Sequence, residues 1–233
     1  MEWYEELDFD ENPFKEDSKY VGNEDLLEET FYSIVSGSIV IVESNEGMGK
    51  TRLMKEVVKK FGGRGRLVYI NCKNLDKELN VESIIKKKKG WLRKNPKNMV
   101  LLLDDVEHIS EKNMERIKYF FDQNYIRAVI LATNKPKELN LSDSLKQRVW
   151  KHMKIGFLSD YEAVQVVREK IGDEMLSDRV IKEVYKESEK NMKKFMENCE
   201  TMCKAFIDNK DIKEEEVKNI IERGQKWMYG LEN

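Results

Sequence analysis

The apolar positions of the chain follow one pattern as far as residue 157 and another after it. Short apolar runs at 38–43, 66–71, 99–103, 128–132 and 153–157 predict five buried strands, separated by helical periods near 50–61, 81–94, 110–124 and 142–149. Strand alternating with helix predicts an α/β fold, a parallel sheet covered on both faces. A helix over 23–37 precedes the first strand, and an aromatic, acidic arm (Trp3, Tyr4, Phe9, Pro13, Phe14) precedes that helix. From 158 onward no strand pattern survives, and amphipathic helices are predicted over 159–171, 177–189, 191–207 and 213–227. This change of period predicts an α/β domain over 1–157 that includes the arm, and a small all-helical domain over 158–233. The arm's aromatic side chains are costly to leave in water, so it is expected to pack on the α/β domain or on a neighbouring subunit.

Composition narrows the class. Hydrophobic residues make up 40% and charged residues 37%, which suits a charge-rich globular protein and not a disordered chain. Net charge is only -2, but it is unevenly spread: residues 1–37 carry twelve acids against Lys15 and Lys19. Residues 72–97 reverse the sign, with nine Lys and Arg against Asp76, Glu78 and Glu82, so a polyanion contact is sought there. Cys72, Cys199 and Cys203 form neither an even framework nor a CxxC pair, which fits a reducing, cytoplasmic location. The longest apolar runs are strand-length, far short of the ~20 residues of a membrane helix.

Two motifs carry chemistry. After the first strand comes Ser44-Asn45-Glu46-Gly47-Met48-Gly49-Lys50-Thr51, followed by helix, which is the context of a P-loop. Backbone N–H groups at a helix N-terminus attract phosphate, and Gly47 and Gly49 permit close backbone approach. Lys50 reaches terminal phosphates and Thr51 offers a hydroxyl to magnesium, so ATP with Mg2+ is the expected ligand pair. Ser44 to Thr51, with Arg52 on the next helical position, form the expected nucleotide-binding set. The second motif is Val100-Leu101-Leu102-Leu103-Asp104-Asp105, an apolar strand ending in two carboxylates. Asp104 is expected to hold the magnesium, and Asp105 to orient and polarise the attacking water; Glu107 is the other carboxylate able to act as base.

With these motifs and a helical tail in this order, the whole chain resembles an AAA+ ATPase core, a P-loop NTPase domain with a five-stranded parallel sheet and a small all-helical lid. The resemblance implies further roles. Asn134, closing the fourth strand, looks like the sensor-1 residue that contacts the terminal phosphate or attacking water. Asn71, at the end of the second strand, matches the polar position that restrains the catalytic carboxylate. Leu145-Lys146-Gln147-Arg148-Val149 resembles the arginine-finger segment, so Arg148 would act in a neighbouring subunit's site, the alternative being a surface arginine. Asn191-Met192-Lys193-Lys194 resembles the start of the sensor-2 helix, with Lys193 where an arginine is usual.

The opening Leu7-Asp8-Phe9-Asp10-Glu11-Asn12-Pro13-Phe14 and Tyr20-Val21-Gly22-Asn23-Glu24 resemble archaeal ATPases of the origin-recognition initiator and helicase-loader group. That resemblance puts Val21 and Gly22 against the adenine. The group continues into a winged-helix DNA-binding domain, whereas this sequence ends at Asn233 after the lid, so the standard mode of duplex binding is not expected. Lys86, Lys87, Lys88, Lys89, Trp91 and Arg93 form a basic cluster that either contacts DNA in a central channel or is a solvated helix face. Cys199 and Cys203, at i and i+4 on an apolar stripe, are expected to be core and not metal ligands. The expected function is an ATP-hydrolysing protein of initiator or loader type, acting with its own or other AAA+ subunits. The alternative is a nucleotide-gated adaptor with negligible turnover.

Overall fold

The computed structural model describes residues 2–15, 19–61, 66–74, 80–87, 97–139 and 141–228. Two compact units emerge, one from Asn23 to Gly156 and one that joins Phe157–Asn233 to the N-terminal Met1–Gly22. The first unit runs α1 (Glu24–Ser36), β1 (Ile39–Glu43), α2 (Lys50–Phe61), β2 (Leu67–Asn71), α3 (Val81–Lys87), β3 (Met99–Asp104), α4 (Glu111–Asp122), β4 (Ile126–Thr133), α5 (Asp143–Lys146) and β5 (Val149–Lys154). All strand pairings are parallel, in the order β2-β3-β4-β1-β5. The parallel α/β sheet read from the alternation, with the P-loop class read from the glycine motif, is the fold observed.

The order matters for function because β4 lies between β1 and β3. Chain segments leaving the C-terminal ends of β1 and β3 therefore flank the end of β4, where the topology opens a crevice. β3 and all but one residue of β4 are buried, matching their unbroken apolar runs. Alternate residues split the sheet into two packed faces. Ile39, Ile41, Leu101, Leu103, Val129 and Leu131 share a core with Met114 and Ile117 of α4, while Val40, Val42, Leu102 and Ile130 are buried on the opposite face.

β5 departs from its expected place at 153–157. It spans Val149–Lys154, and the helix expected over 142–149 is only the single turn Asp143–Lys146. The cause is visible in the register. Ile39 pairs with Val149 and Val40 with Lys151, so Trp150 is an extra residue, a bulge in an edge strand. The bulge turns Trp150 beside Tyr32 of α1, ring centroids 6.1 Å apart, and the strand exposes Lys151, His152 and Lys154. An edge strand with this composition carries no apolar run to read.

The second unit is built from α6 (Asp160–Ile171), α7 (Asp178–Glu187), α8 (Met192–Asp208) and α9 (Val217–Met228). Ser159, Ser177 and Asn191 accept first-turn amide bonds and set the starts of α6, α7 and α8. Tyr185 and Phe195 meet edge to face at 4.9 Å in the core, and the Tyr185 hydroxyl donates to the Leu158 carbonyl at 3.1 Å. Cys199 and Cys203 are buried in the same core.

The N-terminal arm belongs to this helical unit, not to the α/β unit with which it was expected. Its apolar side chains decide the matter: Trp3, Leu7, Phe9 and Phe14 pack against the helical core. Lys170 Nζ donates to the Pro13 carbonyl at 2.9 Å, and Lys204 Nζ lies 5.8 Å from the Trp3 ring centroid. Gly22 closes the arm with φ of 78°, where a Cβ would stand 2.3 Å from Leu158 Cδ2. Among the described residues no helix is long and apolar enough to cross a membrane. The basic cluster lies outside the described residues, apart from the backbone of Lys86 and Lys87 in α3.

Gly22→Ala should therefore lower stability by about 1–2 kcal/mol, from the left-handed backbone and the crowded Leu158 together. Urea unfolding measures this, and an alanine variant as stable as the parent would contradict the close contact.

Candidate functional site

The loop between β1 and α2 turns on two glycines, Gly47 with φ of 78° and Gly49 with φ of 96°. A Cβ at Gly49 would meet nothing within 4 Å, so open space borders the loop where its backbone turns into the helix. The Gly49 carbonyl takes the first helical bond from the Leu53 amide, at 2.9 Å. The amides of the first turn are left without helical acceptors and carry the positive end of the dipole. Ser44 is buried and its amide donates to the Thr133 carbonyl at 3.2 Å, which ties the loop's entry to the end of β4. Asn45 and Glu46 are exposed at the tip and Met48 is buried beneath it. Lys50 is only 7% exposed and makes no ion pair with any described residue. Arg52 NH2 lies 3.0 Å from Glu56 one turn further on.

The end of β3 meets this loop. Thr51 Oγ1 donates to Asp104 Oδ2 at 2.7 Å, a bond between residues 53 positions apart. Asp104 is fully buried, and each of its oxygens is engaged: Oδ2 also accepts the Tyr69 hydroxyl at 3.1 Å, and Oδ1 accepts the Asp105 amide at 3.1 Å. Burial first, and then the Asp104 carboxylate, push the Tyr69 phenol up to about 12, so it remains an O–H donor at neutral pH. Asp105 follows in a left-handed conformation (φ 54°, ψ 49°), which Asp tolerates better than most side chains. Asn71 Nδ2 donates to Asp105 Oδ2 at 3.4 Å, and its own Oδ1 accepts the Lys73 amide.

The third strand end adds two groups. Thr133 Oγ1 donates to Glu107 Oε2 at 2.7 Å and accepts the Lys135 amide at 2.9 Å. Next to it, Asn134 Oδ1 is a buried side-chain oxygen with no hydrogen-bond partner among the described residues. Such an atom is costly unless something else satisfies it. Burial, followed by Asp104, Asp105 and Glu107, pushes the nearby Cys72 thiol up to about 12.

The donor set fits magnesium. The Thr51 proton is spent on Asp104, which leaves the hydroxyl lone pairs for a hard cation beside a carboxylate. Magnesium is commonly held by one or two protein oxygens together with substrate phosphates. Among the described residues there is no group of three or more His, Cys, Asp or Glu that would hold a metal on its own.

The other expected residues are carried by other elements. Arg148 follows α5 on the surface of the α/β unit, its side chain 48% exposed and its Nε 3.1 Å from Asp122 Oδ1. Lys193 lies exposed on the first turn of α8, its amide capped by Asn191 at 3.1 Å, and Val21 and Gly22 belong to the helical unit. His152 Nε2 sits 2.9 Å from Glu43 Oε2 on the β1/β5 side, away from Asp104. Sequence reasoning missed Tyr69 and gave Thr133 no role. Tyr69 stands two positions before Asn71 in a strand and so shares its face, a period-two signal that was available.

A parallel sheet with a glycine loop after β1 and a buried aspartate ending β3 defines a P-loop nucleotide-binding protein. A family model described as an AAA domain matches residues 36–164, more than half of the chain, and the chain belongs to that family. Solved structures agree on the fold. The Thermotoga maritima RuvB Holliday junction branch migration motor superposes with a TM-score of 0.68 at 14% identity, covering 91% of this chain and 73% of that one. Aeropyrum pernix Orc1, solved in complex with DNA, gives 0.68 at 11% identity over 91% and 68% of the two chains. Cdc6p from Pyrobaculum aerophilum gives 0.63 at 13% identity over 86% and 67%. The resemblance to the origin-recognition group is thus found again in the fold. No curated protein matches the chain.

Asn134→Ala removes an unsatisfied buried oxygen, so the ligand-free protein should keep its stability or gain up to about 1 kcal/mol. Denaturant unfolding without nucleotide tests this; a clear loss would mean that the amide has a structural partner.

Proposed function

We propose that this chain is a magnesium-dependent ATPase whose turnover depends on assembly with its own or other AAA+ subunits, working in a DNA transaction of the initiator or loader type. The observation that carries the proposal is the 2.7 Å bond from Thr51 to Asp104, which joins the glycine loop to the carboxylate strand in the form a nucleotide-bound cation requires. Gly47 to Thr51 bind the phosphates through first-turn amides, and Lys50 neutralises the terminal ones. Magnesium, when bound, withdraws charge from the phosphate oxygens and helps fix their orientation. Asp105, held by Asn71, orients the attacking water and takes its proton, while the Asn134 amide positions that water or the terminal phosphate. Arg148 of a neighbouring subunit stabilises charge on the transferring group. The resemblance to the AAA+ group assigns the adenine to Val21 and Gly22 and a phosphate contact to Lys193.

Support for work on DNA comes from two sources. Orc1, solved in complex with DNA, and the RuvB Holliday junction branch migration motor both have this fold, and residues 72–97 are strongly basic. Lys86, Lys87, Lys88, Lys89, Trp91 and Arg93 are the residues proposed for a salt-sensitive, sequence-independent contact. A second reading is favoured by one contact. Asp122 engages Arg148 within the same chain, as suits an adaptor that binds nucleotide without turnover.

Lys50→Ala should abolish ATP binding in calorimetry, and retained affinity would sink the P-loop assignment. Asp105→Asn should bind ATP normally but release phosphate about 10²-fold more slowly or worse. Turnover per subunit should rise with protein concentration and fall by about 10³-fold in Arg148→Ala. Concentration-independent turnover that survives the arginine change would contradict assembly, and none under any condition would leave the adaptor.

A further inference from the structure

The Asp104 carboxylate has a partner that comes neither from the glycine loop nor from its own turn. Tyr69 stands on β2 opposite Leu102, with Asn71 opposite Asp104, so Tyr69 and Asp104 share a face two residues apart along paired strands. A tyrosine is long enough to reach this diagonal neighbour where a shorter side chain is not. Its hydroxyl donates to Oδ2, the same oxygen that takes the Thr51 proton, while Oδ1 takes the Asp105 amide. Donors from α2, β2 and the turn after β3 thus fix both oxygens of a buried carboxylate. An ionised carboxylate accepts roughly four hydrogen bonds, so three donors leave one lone-pair direction unspent.

We propose that Tyr69 is a positioning residue for the divalent cation: its hydroxyl holds the Asp104 carboxylate, and through it the Thr51 hydroxyl, in the orientation that receives the metal. This rests on the magnesium–nucleotide reading above. Packing alone does not account for the contact. The ring is partly exposed on an edge strand, and phenylalanine would fill the same space without touching Asp104. Groups that orient metal-ligating carboxylates typically contribute about 10- to 100-fold in metal affinity.

The test uses the full chain, ADP as nucleotide and Mn2+ as a paramagnetic probe of the magnesium position. Mn2+ is titrated into the ADP complex and followed by electron paramagnetic resonance, for the parent and for Tyr69→Phe. ADP affinity in EDTA and the ligand-free melting temperature are measured on both. The expected result is Mn2+ binding weaker by about 10-fold or more in the variant, with ADP affinity unchanged and the melting temperature lowered only by the loss of one hydrogen bond. Unchanged Mn2+ affinity overturns the proposal. So does a parallel loss in all three quantities, which marks a packing role. A parent chain that binds neither ADP nor Mn2+ overturns the nucleotide reading itself, and the role of Tyr69 falls with it.

Discussion

The hydrogen bond between Thr51 and Asp104 is the contact on which the rest of the site depends. β1 and β3 are not neighbours, because β4 is inserted between them, so the bond spans the end of an intervening strand. It forms only if three parallel strands end in step and the glycine loop folds back over the middle one. Asp104 has no exposure to solvent, and a buried carboxylate persists only with its oxygens filled. Thr51, Tyr69 and the Asp105 amide fill them, and each comes from a different part of the fold.

The same strand ends gather negative charge. Asp104, Asp105 and Glu107 add to the burial that raises the Cys72 thiol, while Lys50 and the first-turn amides of α2 carry positive charge. A site with this division attracts a divalent cation to the carboxylates and phosphates to the helix end. Arg148 differs in kind. It sits on the surface, paired with Asp122, and the role proposed for it needs a neighbouring subunit.

Much of this was legible in the sequence because it depends on local order. Gly-Met-Gly-Lys-Thr between an apolar run and a helical period fixes the loop, and an apolar run ending in Asp-Asp fixes the carboxylates. What escaped is long-range. β5 was misplaced because a bulge at Trp150 and an exposed edge remove the apolar run that marks a strand. The arm was assigned to the wrong unit because the composition of Trp3, Leu7, Phe9 and Phe14 says that they need a core without saying which. The Arg148–Asp122 pair joins residues 26 positions apart, and Tyr69 reaches Asp104 across a strand pairing that sequence spacing does not reveal.

The most direct measurement is a crystal structure of the chain with ADP and Mn2+, with the metal located by anomalous scattering. The diphosphate is expected against the amides of Gly47 to Thr51 and the metal on the Thr51 hydroxyl, as suits a hard cation. Thr51 is expected still to donate to Asp104. A nucleotide bound elsewhere, or a metal bound with Thr51 and Asp104 parted, would contradict it.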